Sequence, residues 1–152
     1  MAKRTIKLKR YLDINNEYLA SAALYPGALV ELHTDGKVRN HSTGGGFAAK
    51  MFALEDELQG RSIDDAYAED DPVQVWAAVP GEEVLARLAD DEDVAIGEFL
   101  VSNGDGTLRA YDDSSDALAG APIVGIALEA VDFSTSSGAL PGTFPRIAIR
   151  IV

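Results

Sequence analysis

Apolar and polar residues alternate along this chain in short bursts rather than in helical stripes. Ile6 and Leu8 alternate with Thr5, Lys7 and Lys9, and residues 28–33 and 50–55 read as further strands. Val73 to Val79 is the clearest strand of the first half and is stopped by Pro80-Gly81. Arg146 to Val152 alternates to the last residue, as a strand paired into a sheet would. A period of two between clusters of turn formers is the signature of half-buried strands. Thr34-Asp35-Gly36-Lys37 predicts a hairpin turn, because Asp-Gly supplies the positive φ angles a tight hairpin needs. Residues 98–102 and 107–111 predict a second hairpin around Asn103-Gly104-Asp105-Gly106. Residues 82–90 contain helix formers, yet Val84, Ala86 and Leu88 alternate and the neighbours are β, so a strand is expected. Ile123 to Asp132 reads as a strand with a bulge at Gly125. His41–Gly46, Asp112–Gly120 and Phe133–Pro145 read as loops, and the acidic stretch 56–71 is expected to hold a helical turn at Ile63–Ala68.

The pattern also repeats. Gly27 opens a run ending in Asp35-Gly36-Lys37-Val38-Arg39, and Gly97 opens one ending in Asp105-Gly106-Thr107-Leu108-Arg109, 70 positions on. The register then slips by four. Phe52-Ala53-Leu54-Glu55 matches Ile126-Ala127-Leu128-Glu129, and Val73-Gln74-Val75-Trp76 matches Ile147-Ala148-Ile149-Arg150, both at 74. Three blocks in one order predict a duplicated β unit. The fold class expected is all-β with at most short helical turns, as a small barrel or sandwich. Residues 1–26 form a basic arm and lead-in strand, and 27–152 a single domain of two repeats, about 27–81 and 97–152. At 152 residues the core is large enough to stand without staples.

Charge sharpens the picture. The chain carries a net charge of -12 and no cysteine, which excludes disulfides and thiol chemistry. Its first ten residues hold Lys3, Arg4, Lys7, Lys9 and Arg10 and no acid. An acidic body repels phosphate backbones, so no direct nucleic-acid partner is expected. No apolar run is long enough to span a bilayer and no secretory signal is evident, so a soluble product with no membrane partner is expected. The basic arm reads equally as an edge strand protected by its charges or as an arm reaching an acidic partner or a neighbouring subunit. Trp76 alternates with Val73 and Val75, which would turn it outward toward an interface.

Candidate chemistry is thin. Asn103-Gly104-Asp105-Gly106 resembles the middle of a calcium loop, but position 1 would be Val101 and position 12 Asp112, so the hairpin is preferred. His33 and His41 lack companion ligands and are expected at a solvent-facing strand end and in a loop. No serine sits in a Gly-x-Ser-x-Gly elbow, and Gly44-Gly45-Gly46 lacks the Lys-Ser/Thr of a phosphate loop. Acid clusters such as Glu55-Asp56-Glu57 could house a carboxylate pair, yet with 25 acids proximity by chance is expected. Glu55 and Glu129 stand out only as repeat equivalents, and alternation from Leu54 and Leu128 points them outward. No catalytic residue, cofactor or metal is assigned.

Taken together, the Gly-Asp-Gly-Thr-Leu hairpin, Val124-Gly125-Ile126-Ala127-Leu128-Glu129-Ala130, the terminal alternating strand, Phe52-Ala53-Leu54-Glu55-Asp56 and Asp71-Pro72-Val73-Gln74-Val75-Trp76 resemble tailed-phage capsid decoration (cement) proteins over residues 27–152. That resemblance implies a β-rich structural virion protein with neither reaction nor cofactor, synthesised in the host cytoplasm. It implies a homotrimer on the outer capsid surface, where it binds the major capsid protein and stabilises contacts between capsomers. Lys3, Arg4, Lys7, Lys9, Arg10 and Trp76 are the candidate capsid or inter-subunit contacts. The alternative is a carbohydrate- or receptor-binding β module on a virion, and a small hydrolase built on paired acids is weaker still.

Overall fold

The computed structural model describes residues 3–134 and 145–152. Strands β2 (Asn15–Leu19), β3 (Leu29–Leu32), β4 (Val38–Asn40), β5 (Met51–Ala53) and β6 (Pro72–Ala77) form one sheet in the spatial order β2-β6-β5-β3-β4. A second sheet has the order β1-β7-β13-β11-β9-β10. It comprises β1 (Lys7–Lys9), β7 (Glu83–Arg87), β9 (Phe99–Ser102), β10 (Leu108–Ala110), β11 (Gly125–Ala127) and β13 (Arg146–Ile151). A ribbon of β8 (Asp93–Val94) and β12 (Val131–Asp132) completes the strands among the described residues, and every pair of these strands is antiparallel. The sheets pack as a sandwich, and no closed barrel forms.

Leave out β1 and the two sheets have the same connectivity, strand for strand. β3 and β9, and β4 and β10, differ by the 70 positions of the sequence repeat, and β5/β11 and β6/β13 by 74. The likeness also reaches strands that residue matching did not include, because β2 takes in the first sheet the place β7 takes in the second. Single contacts follow suit. Gly27 N–H bonds Ala53 O at 2.8 Å and Gly97 N–H bonds Ala127 O at 2.9 Å.

Alternation sends neighbouring residues of the first sheet to two cores. Leu29, Phe52 and Trp76 join the large cluster shared with the second sheet, where Ile6, Val84, Leu100, Ile147 and Ile149 lie. Val30, Ala53, Val73 and Val75 face the other way, onto Ala20, Leu24 and Tyr67. Trp76 does turn away from Val73 and Val75, but into a second core and not outward; its exposure is 0%. The expectation of an outward tryptophan assumed one core per strand, and this strand has two.

Other expectations are also corrected. Ile63–Ala68 is not helical. Tyr67 exchanges backbone hydrogen bonds with Leu24 at 2.8 and 3.1 Å and donates its hydroxyl to Leu54 O at 2.6 Å, which holds the chain extended. Among the described residues the helical pieces are a 3₁₀ turn at Glu57–Gln59 and a short α1 (Asp116–Ala119). Gly125 makes no bulge, since its pairings with Ile151 and Leu100 are in register. It is needed because a Cβ there would lie 2.9 Å from Arg150 O. The expected strand 123–132 divides into β11 and β12. Both hairpins form, but each spans five residues, with His33 N–H bonded to Lys37 O at 2.8 Å and Asn103 N–H to Thr107 O at 2.9 Å. In the first hairpin only Gly36 has positive φ and its N–H bonds His33 O at 3.0 Å, the pattern of a type I turn with a bulge glycine; in the second both Gly104 and Gly106 have positive φ, so that turn is of another type. Most of the expected loop at Phe133–Pro145 lies outside the described residues.

Candidate functional site

The basic N-terminal segment is laid onto its own chain. Ile6 is fully buried and anchors it; Ile6 O accepts the Leu85 N–H at 2.8 Å, and the Glu55 carboxylate accepts the Ile6 N–H at 3.2 Å. Lys7 sits 5.3 Å over the Trp76 ring, within cation–π range, donates to Asn15 at 2.8 Å and pairs with Asp13. The hydrogen bond from Lys7 is the main reason the Asp13 carboxyl lies below its ordinary range. Arg10 also pairs with Asp13, at 2.9 Å, and Lys9 lies 5.5 Å over the Tyr11 ring. Lys3 reaches Glu129 at 2.7 Å, and Arg4, Lys9 and Arg10 are exposed. The structure thus brings Lys7 and Trp76 together, places Lys9 and Arg10 on the surface beside them, and takes Lys3 elsewhere.

The residue that organises this corner is Glu82, which nothing in the sequence marked. It is fully buried; its Oε1 accepts the N–H groups of Tyr11 and Leu12 at 2.9 and 2.8 Å, and its Oε2 that of Val79 at 2.8 Å. Burial alone would raise its pKa, but three backbone donors outweigh it and hold the carboxyl below its ordinary value. With their backbone pinned, Tyr11 (65% exposed), Leu12 and Ile14 project into solvent where the chain crosses between sheets. Apolar residues beside Lys9 and Arg10 form a patch of the composition that protein interfaces favour.

Behind the arm lies a groove of about 480 Å³. Its lining includes Lys7, Lys9 and Arg10, the acids Glu55 and Glu57, and Leu8 and Leu54. Glu55 and Glu129 are not free acids. Glu55 serves Ile6, and Glu129 accepts the Ala148 N–H at 2.8 Å as well as Lys3. The acidic clusters act mostly as turn locks: Asp56 accepts from Gln59 N–H at 3.3 Å, Asp65 from Ser62 N–H at 2.6 Å, and Asp71 from Ala68 N–H at 2.9 Å. Asp105 accepts the Thr107 N–H at 3.0 Å inside its hairpin. Among the described residues no group of three or more His, Cys, Asp or Glu is placed to hold a metal.

His41 lies in the expected loop just after β4, but it is buried. Its Nε2 lies 2.8 Å from Phe47 O, which can only accept, so Nε2 carries the proton; in the neutral ring Nδ1 accepts from Ser102 Oγ at 2.6 Å. Ser102 belongs to the other repeat, so the pair stitches the two halves together. Arg109 and Asp116 form a two-pronged pair at 2.6 Å on each prong, and this pairing is the chief cause of a lowered Asp116 pKa.

No protein-family model matches the chain, and no curated protein does. Among solved structures it is similar to the crystal structure of the head fiber gp8.5 N base in bacteriophage phi29, with a TM-score of 0.55 and 13% sequence identity. The match covers 93% of this chain and 95% of that one, and at this identity it is a likeness of fold.

Proposed function

We propose that this chain is a structural protein of a phage virion that binds the capsid. The observation that carries the reading is a fold shared, nearly end to end, with the phi29 head fiber base. The decoration-protein resemblance of residues 27–152 points to the same class of protein from independent features of the sequence. Within that reading the protein sits on the outer face of the assembled shell, contacts the major capsid protein and stabilises capsomer junctions. The patch of Lys9, Arg10, Tyr11, Leu12 and Ile14 is its docking corner. A basic rim steers an acidic body to the shell, and rigidly held apolar residues supply the contact area. Binding only the assembled state stabilises that state by mass action, and several copies per complex, three on the family expectation, add avidity.

The test is co-sedimentation with capsids of the parent phage that lack this protein. The expected result is binding that saturates at a fixed ratio, weakened about tenfold by Lys9→Glu with Arg10→Glu. A chain left in the supernatant at every ratio would refute the proposal. Selective capture on a glycan array by the same sample would favour the receptor-binding alternative, which has already lost Trp76 to the core.

A further inference from the structure

The two repeats share a fold but not their surroundings. On the front face of the first, Leu29, Phe52 and Trp76 pair side by side and each is 0% exposed. The same places in the second hold Phe99, Ile126 and Arg150, paired in the same way, yet Phe99 is 45% exposed, Arg150 is exposed and Ile126 only half-buried. The lead-in segments differ likewise. Pro26, Gly27 and Ala28 are buried, whereas Ile96, Gly97 and Glu98 are exposed. A Cβ on Gly27 would meet Leu85 O at 3.0 Å, while one on Gly97 would meet nothing within 4 Å.

The back surfaces show the reverse. In the second repeat, Leu85 and Arg87 on the outer edge of β7 donate to Ile6 O and Gly27 O, the latter at 3.0 Å, and Gly106 O in the hairpin accepts the Leu29 N–H at 2.8 Å. The counterparts in the first repeat are Glu17 and Leu19 on the outer edge of β2, and Gly36. All three are exposed, as is Leu32 beside them. The contact within the chain is therefore head to tail, the front of repeat one on the back of repeat two. One front and one back are left over, and both display large apolar side chains.

Head-to-tail contacts can be repeated by further copies, as a ring if the rotation closes. We propose that a second copy of this chain fills the vacancy, the front of the second repeat in one copy packing on the back of the first repeat in the next. Ile96 and Phe99 cover Leu19 and Leu32, and the chain's internal interface is the template. Gly97 O takes the Leu19 N–H as Gly27 O takes that of Arg87, and the Phe99 N–H donates to Gly36 O as that of Leu29 does to Gly106 O. This contact does not depend on the capsid reading.

The absence of cysteine makes the contact directly testable. Arg87 stacks 4.8 Å from the Tyr25 ring, and their repeat counterparts are Leu19 and Ala95. A short thiol-reactive cross-linker is applied to Leu19→Cys, Ala95→Cys and the double variant, without capsids. Multimers from the double variant and none from either single variant are expected. Native mass should show an oligomer of the unmodified protein that Ile96→Glu with Phe99→Glu converts to monomer while near-UV dichroism stays unchanged. A monomeric unmodified protein, an oligomer indifferent to the two glutamates, or single variants that link to themselves would overturn the proposal. Because no shell is present, failure here and failure to bind capsids are separate results.

Discussion

At the residue scale, chemistry at one position is decided by what the fold brings opposite it. Gly27 and Gly97 occupy equivalent places with nearly equal φ, 86° and 88°. Alanine at either meets the same left-handed backbone strain, about 1 kcal/mol. Only at Gly27 does the new methyl also press on Leu85 O. Gly97→Ala should therefore cost the dissociated chain about 1 kcal/mol, and Gly27→Ala at least about 1 kcal/mol more. Urea midpoints of the two variants check this; equal losses would mean that the repeats do not pack as described. The same contrast explains Trp76. Its alternation was legible in Val73-Gln74-Val75-Trp76, but which side held a core was not, because that depends on the second repeat arriving over it. Glu82 was illegible for a similar reason: its three donors come from Tyr11, Leu12 and Val79, two of them about 70 positions away.

At the scale of elements, strand periodicity and turn residues located most of the sheet. The residue matches at 70 and 74 positions reappear as matched strands, since a duplicated pattern of alternation folds twice into the same local structure. The misses, Ile63–Ala68 and Gly125, were positions where a distant backbone atom dictates the conformation. β1 is the clearest case of an element whose role only packing reveals. It is short and basic, yet the preceding Ile6 is buried and bonds Leu85, and its own Lys7 covers Trp76. Deleting residues 1–9 should lower stability by about 3 kcal/mol, chiefly from the buried isoleucine and the opened strand edge. The single tryptophan makes a direct probe: its emission should shift to the red in the truncated protein. Unchanged emission and denaturation midpoint would show that the arm is dispensable to the core.

At the scale of the molecule, an acidic chain is held together partly by carboxylates that accept backbone or arginine donors. Glu82, Asp116, Glu129 and Glu31 all have pKa values below their ordinary ones. For Asp116 the chief cause is Arg109; for the other three, burial pushes upward but hydrogen bonds and nearby cations prevail. A carboxyl with a lowered folded pKa contributes stability that is complete above its unfolded pKa and is lost as pH falls through the folded one. The thermal midpoint should thus hold to about pH 5 and fall steadily below about pH 4. Glu82→Gln should lower the midpoint at pH 7 and flatten the acid limb; a variant with the parent's acid limb would show that Glu82 contributes nothing to it.

The amino-acid sequence by itself determined the all-β class, the duplication, the places of the hairpins and the segregation of positive charge into the first ten residues. These follow from local periodicity, turn stereochemistry and composition, which need no knowledge of partners in space. Only the tertiary structure decided that the sheets form an open-edged sandwich, that Trp76 and His41 are buried, and that the arm is a strand of its own sheet. It alone also decided that one repeat's front lies on the other's back while the remaining front and back stay exposed. Each of these depends on which of two equivalent surfaces is covered, and equivalent residues in a repeat carry the same local signal whether or not anything covers them.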